Sequence, residues 1–155
     1  MSYFWENLSQ TKTIIMEQLK INHAAVWVGV VVMFALGFVW YGPLFGETWM
    51  EMVGLTMADA ENMDGMAGIW ISNIVSSVLA VYLLAWLLSK LGIASGIKGA
   101  ILGLEISFVF IFLAMMVTGF YGQAPYGLAW IQGGFYMVGF TINGFILGAW
   151  VKKVK

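Results

Sequence analysis

Glu105 is the only acidic residue inside a long apolar stretch of this chain. It lies eight positions into a run from 97 to 118, about 12 Å from the nearer end at helical rise. In hydrocarbon a carboxylate costs on the order of several kcal/mol unless it is protonated, paired or wetted. That makes Glu105 a candidate proton or cation site. The structural alternative is a hydrogen bond to a neighbouring helix, or a carboxyl drawn toward Lys98, two turns earlier on a similar face. Asn143 lies at matching depth in the last apolar run, so depth predicts that Glu105 and Asn143 face each other. Asn73, Ser76, Ser77, Gln132 and Thr141 are further polar groups in apolar surroundings. Asn73 and Gln132 belong to the opposite half of their runs from Glu105. A continuous polar path would need Ser76, Ser77, Thr141 or water to bridge the depths, and hydrogen bonds between membrane helices are commonly structural.

The remaining chemistry-bearing residues are sparse. His23 is the single histidine and forms neither a metal site nor a catalytic triad by itself. Glu47, Glu51, Asp59, Glu61 and Asp64 share one connection, but an EF-hand count from Asp59 puts Met63 where an oxygen ligand belongs. No metal and no cofactor is expected. The absence of cysteine excludes disulfides, thiolate zinc sites and cysteine nucleophiles. No Gly-rich phosphate loop, Ser-His-Asp set or HExxH motif occurs. The expectation is a protein that is not an enzyme.

These residues must be positioned by something other than a soluble core. Of 155 residues, 61% are hydrophobic and 10% charged, with no arginine and a net charge of -1. A soluble domain is about half apolar and a quarter charged, so this chain cannot cover itself with polar surface. Nucleic acid is excluded as a partner on the same charge balance. Four apolar runs, at 24–41, 67–88, 97–118 and 128–151, are each long enough to cross about 30 Å of hydrocarbon as a helix. They lack the alternation of barrel strands. The fold class read from this pattern is all-α, an integral membrane four-helix bundle across 23–155.

Lysine placement gives the orientation. Lys12, Lys20, Lys90, Lys98, Lys152, Lys153 and Lys155 all fall on one side of a four-span arrangement, and the two connections opposite contain none. By the positive-inside rule both termini are cytoplasmic. Trp27, Trp86 and Trp150 fall near inner ends, and Trp40, Tyr41, Trp70 and Trp130 near outer ends, as an interfacial belt requires. Residues 1–22 read as an amphipathic helix on the inner membrane surface, with Phe4, Leu8, Ile15 and Leu19 on one face. After Pro43 the chain predicts a short interfacial helix. Thr56 then reads as the N-cap of a further helix start.

Small residues four apart mark the helix contacts. Ala25 with Gly29, Gly99 with Gly103, and Gly144 with Gly148 let backbones approach closely, and Ser72, Ser76 and Ala80 extend the spacing in the second run. The contact could be within one chain or between chains. An internal echo links residues 37–49 with 119–130, each reading Gly-Phe, Tyr-Gly, a proline, a glycine and a tryptophan. Duplicated hairpins and convergent turn chemistry both account for it.

The stretch Trp40-Tyr-Gly-Pro-Leu-Phe-Gly-Glu-Thr-Trp-Met-Glu-Met-Val-Gly54 resembles the signature of the domain of unknown function 1761 family. Trp40, Tyr41, Pro43, Leu44, Phe45, Gly46 and Trp49 carry the likeness, and Ile21-Asn-His-Ala-Ala adds to it. The resemblance implies a small four-span protein of the bacterial inner membrane and supplies no reaction, ligand or catalytic residue. The leading expectation is a non-enzymatic protein acting through packing in membrane lipid, against a second copy or another membrane protein. The rival is a small oligomeric transporter or channel for a proton, cation or small solute, using Glu105. A third reading, a binder of lipid or an apolar ligand, would show an apolar cleft open to the bilayer.

Overall fold

The computed structural model describes residues 19–56, 58–59 and 65–153. The fold is all-α, with a minimal two-stranded ribbon. Helix α1 runs His23–Leu44, its last turn (Trp40–Leu44) widened into a π-helix around Pro43. Helix α2 is Gly46–Val53, and α3 is Met66–Lys90. Helix α4, Gly96–Tyr121, contains a π-helical stretch at Ser107–Phe112. Helix α5 is Tyr126–Ala149. Glycines at positive φ punctuate the chain, Gly54 closing α2 (φ 71), Gly65 preceding α3 (φ 79) and Gly92 following it (φ 65). A side chain would strain each of these positions.

Helices α1, α3 and α4 are long and apolar enough to cross a membrane. Their outward surfaces are greasy: Val31, Phe38, Leu79, Leu83, Ile97 and Phe110 are each more than 60% exposed. A soluble protein does not present so much contiguous apolar surface. Helix α5 is 24 residues long, about 36 Å, but is more polar, carrying Gln132, Thr141, Asn143 and six glycines. Its composition follows from its place. It packs against α1, α3 and α4, and eight of its residues are buried.

The core gathers at one end of the bundle. Ala25, Val26, Val30 and Met33 of α1 meet Val81, Leu84, Ala85 and Leu88 of α3 and Leu147 of α5. At the same end β1, Leu19–Lys20, pairs antiparallel with β2, Lys152–Lys153, Leu19 opposite Lys153 and Lys20 opposite Lys152. Asn22 Nδ2 donates to Trp150 O at 3.0 Å, and Ser89 Oγ donates to Leu19 O. The segments flanking the first and last long helices therefore meet, which brings Lys20, Lys90 and Lys152 to one end.

The ribbon corrects part of the expected amphipathic helix over 1–22. Leu19 and Lys20 are strand, because Lys152 and Lys153 offer their backbone as a partner; residues 1–18 lie outside the described residues. At the opposite end the bundle opens. Residues 65–76, the first three turns of α3, are exposed on every face.

Candidate functional site

Helices α4 and α5 meet through their glycines. A Cβ at Gly99 would collide with the Gly144 carbonyl, one at Gly103 with the Phe140 carbonyl, and one at Gly148 with the Ser95 carbonyl. The Gly99–Gly103 and Gly144–Gly148 pairs thus serve a contact within the chain. Close backbone approach is how membrane helices gain dispersion energy where apolar burial drives nothing. Ser107 extends the same stripe, fully buried, its Oγ donating to Gly103 O at 2.7 Å and Leu104 O at 3.0 Å. The following π turn carries Phe112 inward, packed on Gly133 and edge-on to Trp130 at 4.7 Å. Ser107, Phe112 and Gly133 escaped the sequence reading, although Ser107 follows Gly103 at the same four-residue spacing.

The expected pairing of Glu105 with Asn143 is not what forms. Glu105 is exposed on the outward face of α4 and has no hydrogen-bond or ionic partner among the described residues, Lys98 included. Asn143 is 1% exposed; its Nδ2 donates to Gly139 O at 2.9 Å, and its Oδ1 is turned toward Gly29 of α1, without a donor. The reason is helical phase. The contact face of α4 is Gly99, Gly103 and Ser107, and Glu105 stands two residues from Gly103, about 200° round the helix. On α5, Gly144 faces α4, so Asn143 is turned about 100° away, onto α1. The depths match and the directions do not.

The other polar candidates stay apart as well. Asn73 and Ser76 lie in the exposed half of α3 and have no hydrogen-bond partner among the described residues. Thr141 Oγ1 donates to Met137 O of its own helix at 2.6 Å. Ser107 and Asn143 are the buried polar residues among those described. His23 Nδ1 lies 3.0 Å from Tyr82 Oη at the lysine end of the bundle.

The residues of the Trp40–Trp49 motif do converge. Trp40 packs tilted against Phe45 (4.8 Å) and edge-on against Phe135 (6.4 Å), and its Nε1 donates to Ile131 O at 2.9 Å. Its N–H is therefore spent on α5, which corrects the expectation of a wetted belt residue. Tyr41 packs on Trp49 at 5.6 Å and on Phe135 at 5.5 Å. Gly46 is buried with the Tyr41 carbonyl 2.6 Å from where its Cβ would be, so only glycine allows α2 to start there. Pro43 lies within the π turn, whereas Leu44 is 57% exposed. The motif is a clasp of aromatic rings that fixes the end of α1 and the short helix α2 onto α5.

Beyond the clasp, Thr56 and Asp59 form a reciprocal cap. Thr56 N donates to Asp59 Oδ2 at 2.9 Å, and Asp59 N donates to Thr56 Oγ1 at 3.3 Å. Hydrogen bonds from the Thr56 hydroxyl and backbone hold the Asp59 carboxyl below the usual carboxylate range.

Apolar helices of membrane-crossing length, glycine-mediated contact and outward greasy faces define a helical membrane protein. Residues 24–148 match the family described as Protein of unknown function (DUF1761), and the chain belongs to that family. No curated protein and no solved structure matches it.

Proposed function

We propose that this is a non-enzymatic, four-span protein of the bacterial inner membrane that works by lateral packing against a second copy or another membrane protein. In this arrangement α5 is the fourth span and both termini are cytoplasmic, on the side of the lysine end. One observation carries the reading. The first three turns of α3 stand clear of the bundle, and their Ser72, Asn73 and Ser76 have no hydrogen-bond partner among the described residues. A carboxamide facing lipid is unfavourable, and an interhelical hydrogen bond removes that cost. The outward Glu105 adds a second polar group that the bundle leaves unpaired.

The native chain has no cysteine, so single-cysteine variants report without background. Ser72→Cys and Ser76→Cys are expected to cross-link to a second chain in membranes, while Leu83→Cys, exposed lower on the same helix, is not. Uniform failure of all three to cross-link, with monomers in nanodiscs, would remove the second copy, and failure of the same variants to cross-link to any other membrane protein in native membranes would sink the proposal. A second reading follows from Glu105 alone: copies arranged around that carboxyl would move a proton, cation or small solute. Liposome flux abolished by Glu105→Gln would favour it.

A further inference from the structure

The two halves of the α4–α5 hairpin pack in opposite ways. At the lysine end the backbones touch through Gly99, Gly144 and Gly148. Past Phe112, wedged on Gly133, the helices diverge and leave a cleft of about 810 Å³ beneath the turn that joins them. Met115, Met116, Leu128 and Ala129 contribute its apolar walls, and Gln132 belongs to its lining. The turn holds the helix ends apart, with Gln123 at φ 55 and Pro125 leading into α5.

Depth in the bilayer follows from the aromatic residues around the cleft. Tyr121, Tyr126 and Trp130 are all more than half exposed, as rings at the headgroup level are. Gln132 is two residues past Trp130, about 3 Å deeper by helical rise. That is the level at which glycerophospholipids present their ester carbonyls, which accept hydrogen bonds and have none to donate. The Gln132 amide is half-buried and has no hydrogen-bond partner among the described residues. A cleft of this size falls in the range of small-ligand sites, and methionine walls adapt to a flexible chain.

We infer that the α4–α5 cleft is a binding site for the ester-linked head region of a bilayer glycerophospholipid. Gln132 Nε2 donates to an ester carbonyl, and Met115, Met116, Leu128 and Ala129 enclose the first methylenes of the acyl chain. The occupant comes sideways from the leaflet at the end of the bundle opposite the lysines. A second copy does not suit the cleft: both walls belong to one tight hairpin, and the unpaired donor lies at the depth where lipid supplies an acceptor. The inference depends on the membrane setting and is independent of what covers α3.

The test reconstitutes the full chain in nanodiscs of phosphatidylethanolamine and phosphatidylglycerol. A trace of ester-linked phosphatidylcholine carries a diazirine beside its first acyl carbons, with the ether-linked twin in a parallel sample. After illumination, labelled peptides are mapped by mass spectrometry. The ester probe should label residues 115–132 above the lipid-facing Phe38, which is 79% exposed and lies two residues from Trp40, at matching depth. The ether probe, lacking the carbonyl, should label them about threefold to tenfold less, as loss of one hydrogen bond implies. Gln132→Leu should lower ester labelling to the ether level. Equal labelling by both probes on the unaltered chain overturns the inference, as does cleft labelling no higher than at Phe38.

Discussion

The carboxamide oxygen of Asn143 rests against Gly29, buried and without a donor. A Cβ at position 29 would displace that oxygen and come within 3.0 Å of Val81 Cγ1. Asn143 cannot turn away freely, since its Nδ2 is bound to Gly139 O. Gly29→Ala should therefore lower stability by about 1–3 kcal/mol, the usual cost of overpacking. In the double variant with Asn143→Ala the losses should fall short of their sum by about 0.5 kcal/mol or more. Thermal unfolding in detergent micelles measures all three variants, and strictly additive losses would contradict the contact.

The glycine seam predicts a contrast between two kinds of glycine. Gly144 abuts the backbone at Gly99, whereas Gly68 in α3 has open space where its side chain would be. Gly144→Val should cost about 3 kcal/mol or prevent folding, because backbone cannot yield as a side chain can. Gly68→Ala should raise stability by about 0.5–1 kcal/mol through helix propensity. Melting temperatures that move together in the two variants would remove the distinction.

Trp40 is a third test, now of the clasp. Replacing it with Phe keeps much of the packing on Phe45 and Phe135 but loses the bond to Ile131 O. The expected loss is about 1 kcal/mol. Trp70, 57% exposed, gives the control: Trp70→Phe should leave the melting temperature in detergent unchanged.

These tests separate what could be read along the chain from what needed three dimensions. Run length and punctuation place the helices, because a spanning helix must satisfy its own backbone and its ends require Gly54, Gly65, Gly92 or Pro125. The Gly99–Gly103 and Gly144–Gly148 spacing marks contact faces, since only small residues allow backbones so near. Depth also follows from counting residues. Direction does not, and Glu105 with Asn143 shows it: equal depth suggests a pair, while the phase set by Gly103 and Gly144 parts them. Taking the Gly99, Gly103 and Ser107 stripe as the buried face would have turned Glu105 outward from sequence alone. The π turn at Ser107–Phe112 and the cleft beyond it carry no comparable sequence signal, because both depend on how Phe112 meets Gly133 on another helix.

The Thr56–Asp59 cap gives a pH dependence with a definite sign. Its carboxyl titrates below the usual range because Thr56 donates to the ionised form. A depressed folded value means that the cap's contribution is present above the unfolded value, near pH 4 for an aspartate. It is lost as pH falls through the lower folded value. Amide hydrogen exchange at Thr56 should be slow at neutral pH and accelerate, relative to a loop amide without a bond among the described residues such as Ala94, only in that acid window. Asp59→Asn should abolish the dependence, and a change centred above pH 5 would assign it to another group.

Glu105 supplies the sharpest separation between fold and function. Because it faces out of the bundle, Glu105→Leu removes no hydrogen bond or ion pair among the described residues. Stability of monomers in detergent should shift by less than about 0.5 kcal/mol, or rise where the residue would otherwise face hydrocarbon. Asn143→Leu should instead be strongly destabilising, as a bulkier apolar group in a site 1% exposed must displace Gly29. If the carboxyl contacts a second copy or a partner, cross-linking yields in membranes should fall in Glu105→Leu while the melting temperature in detergent holds. A loss of about 2 kcal/mol or more in detergent would mean that Glu105 has a buried partner and that the outward orientation is wrong.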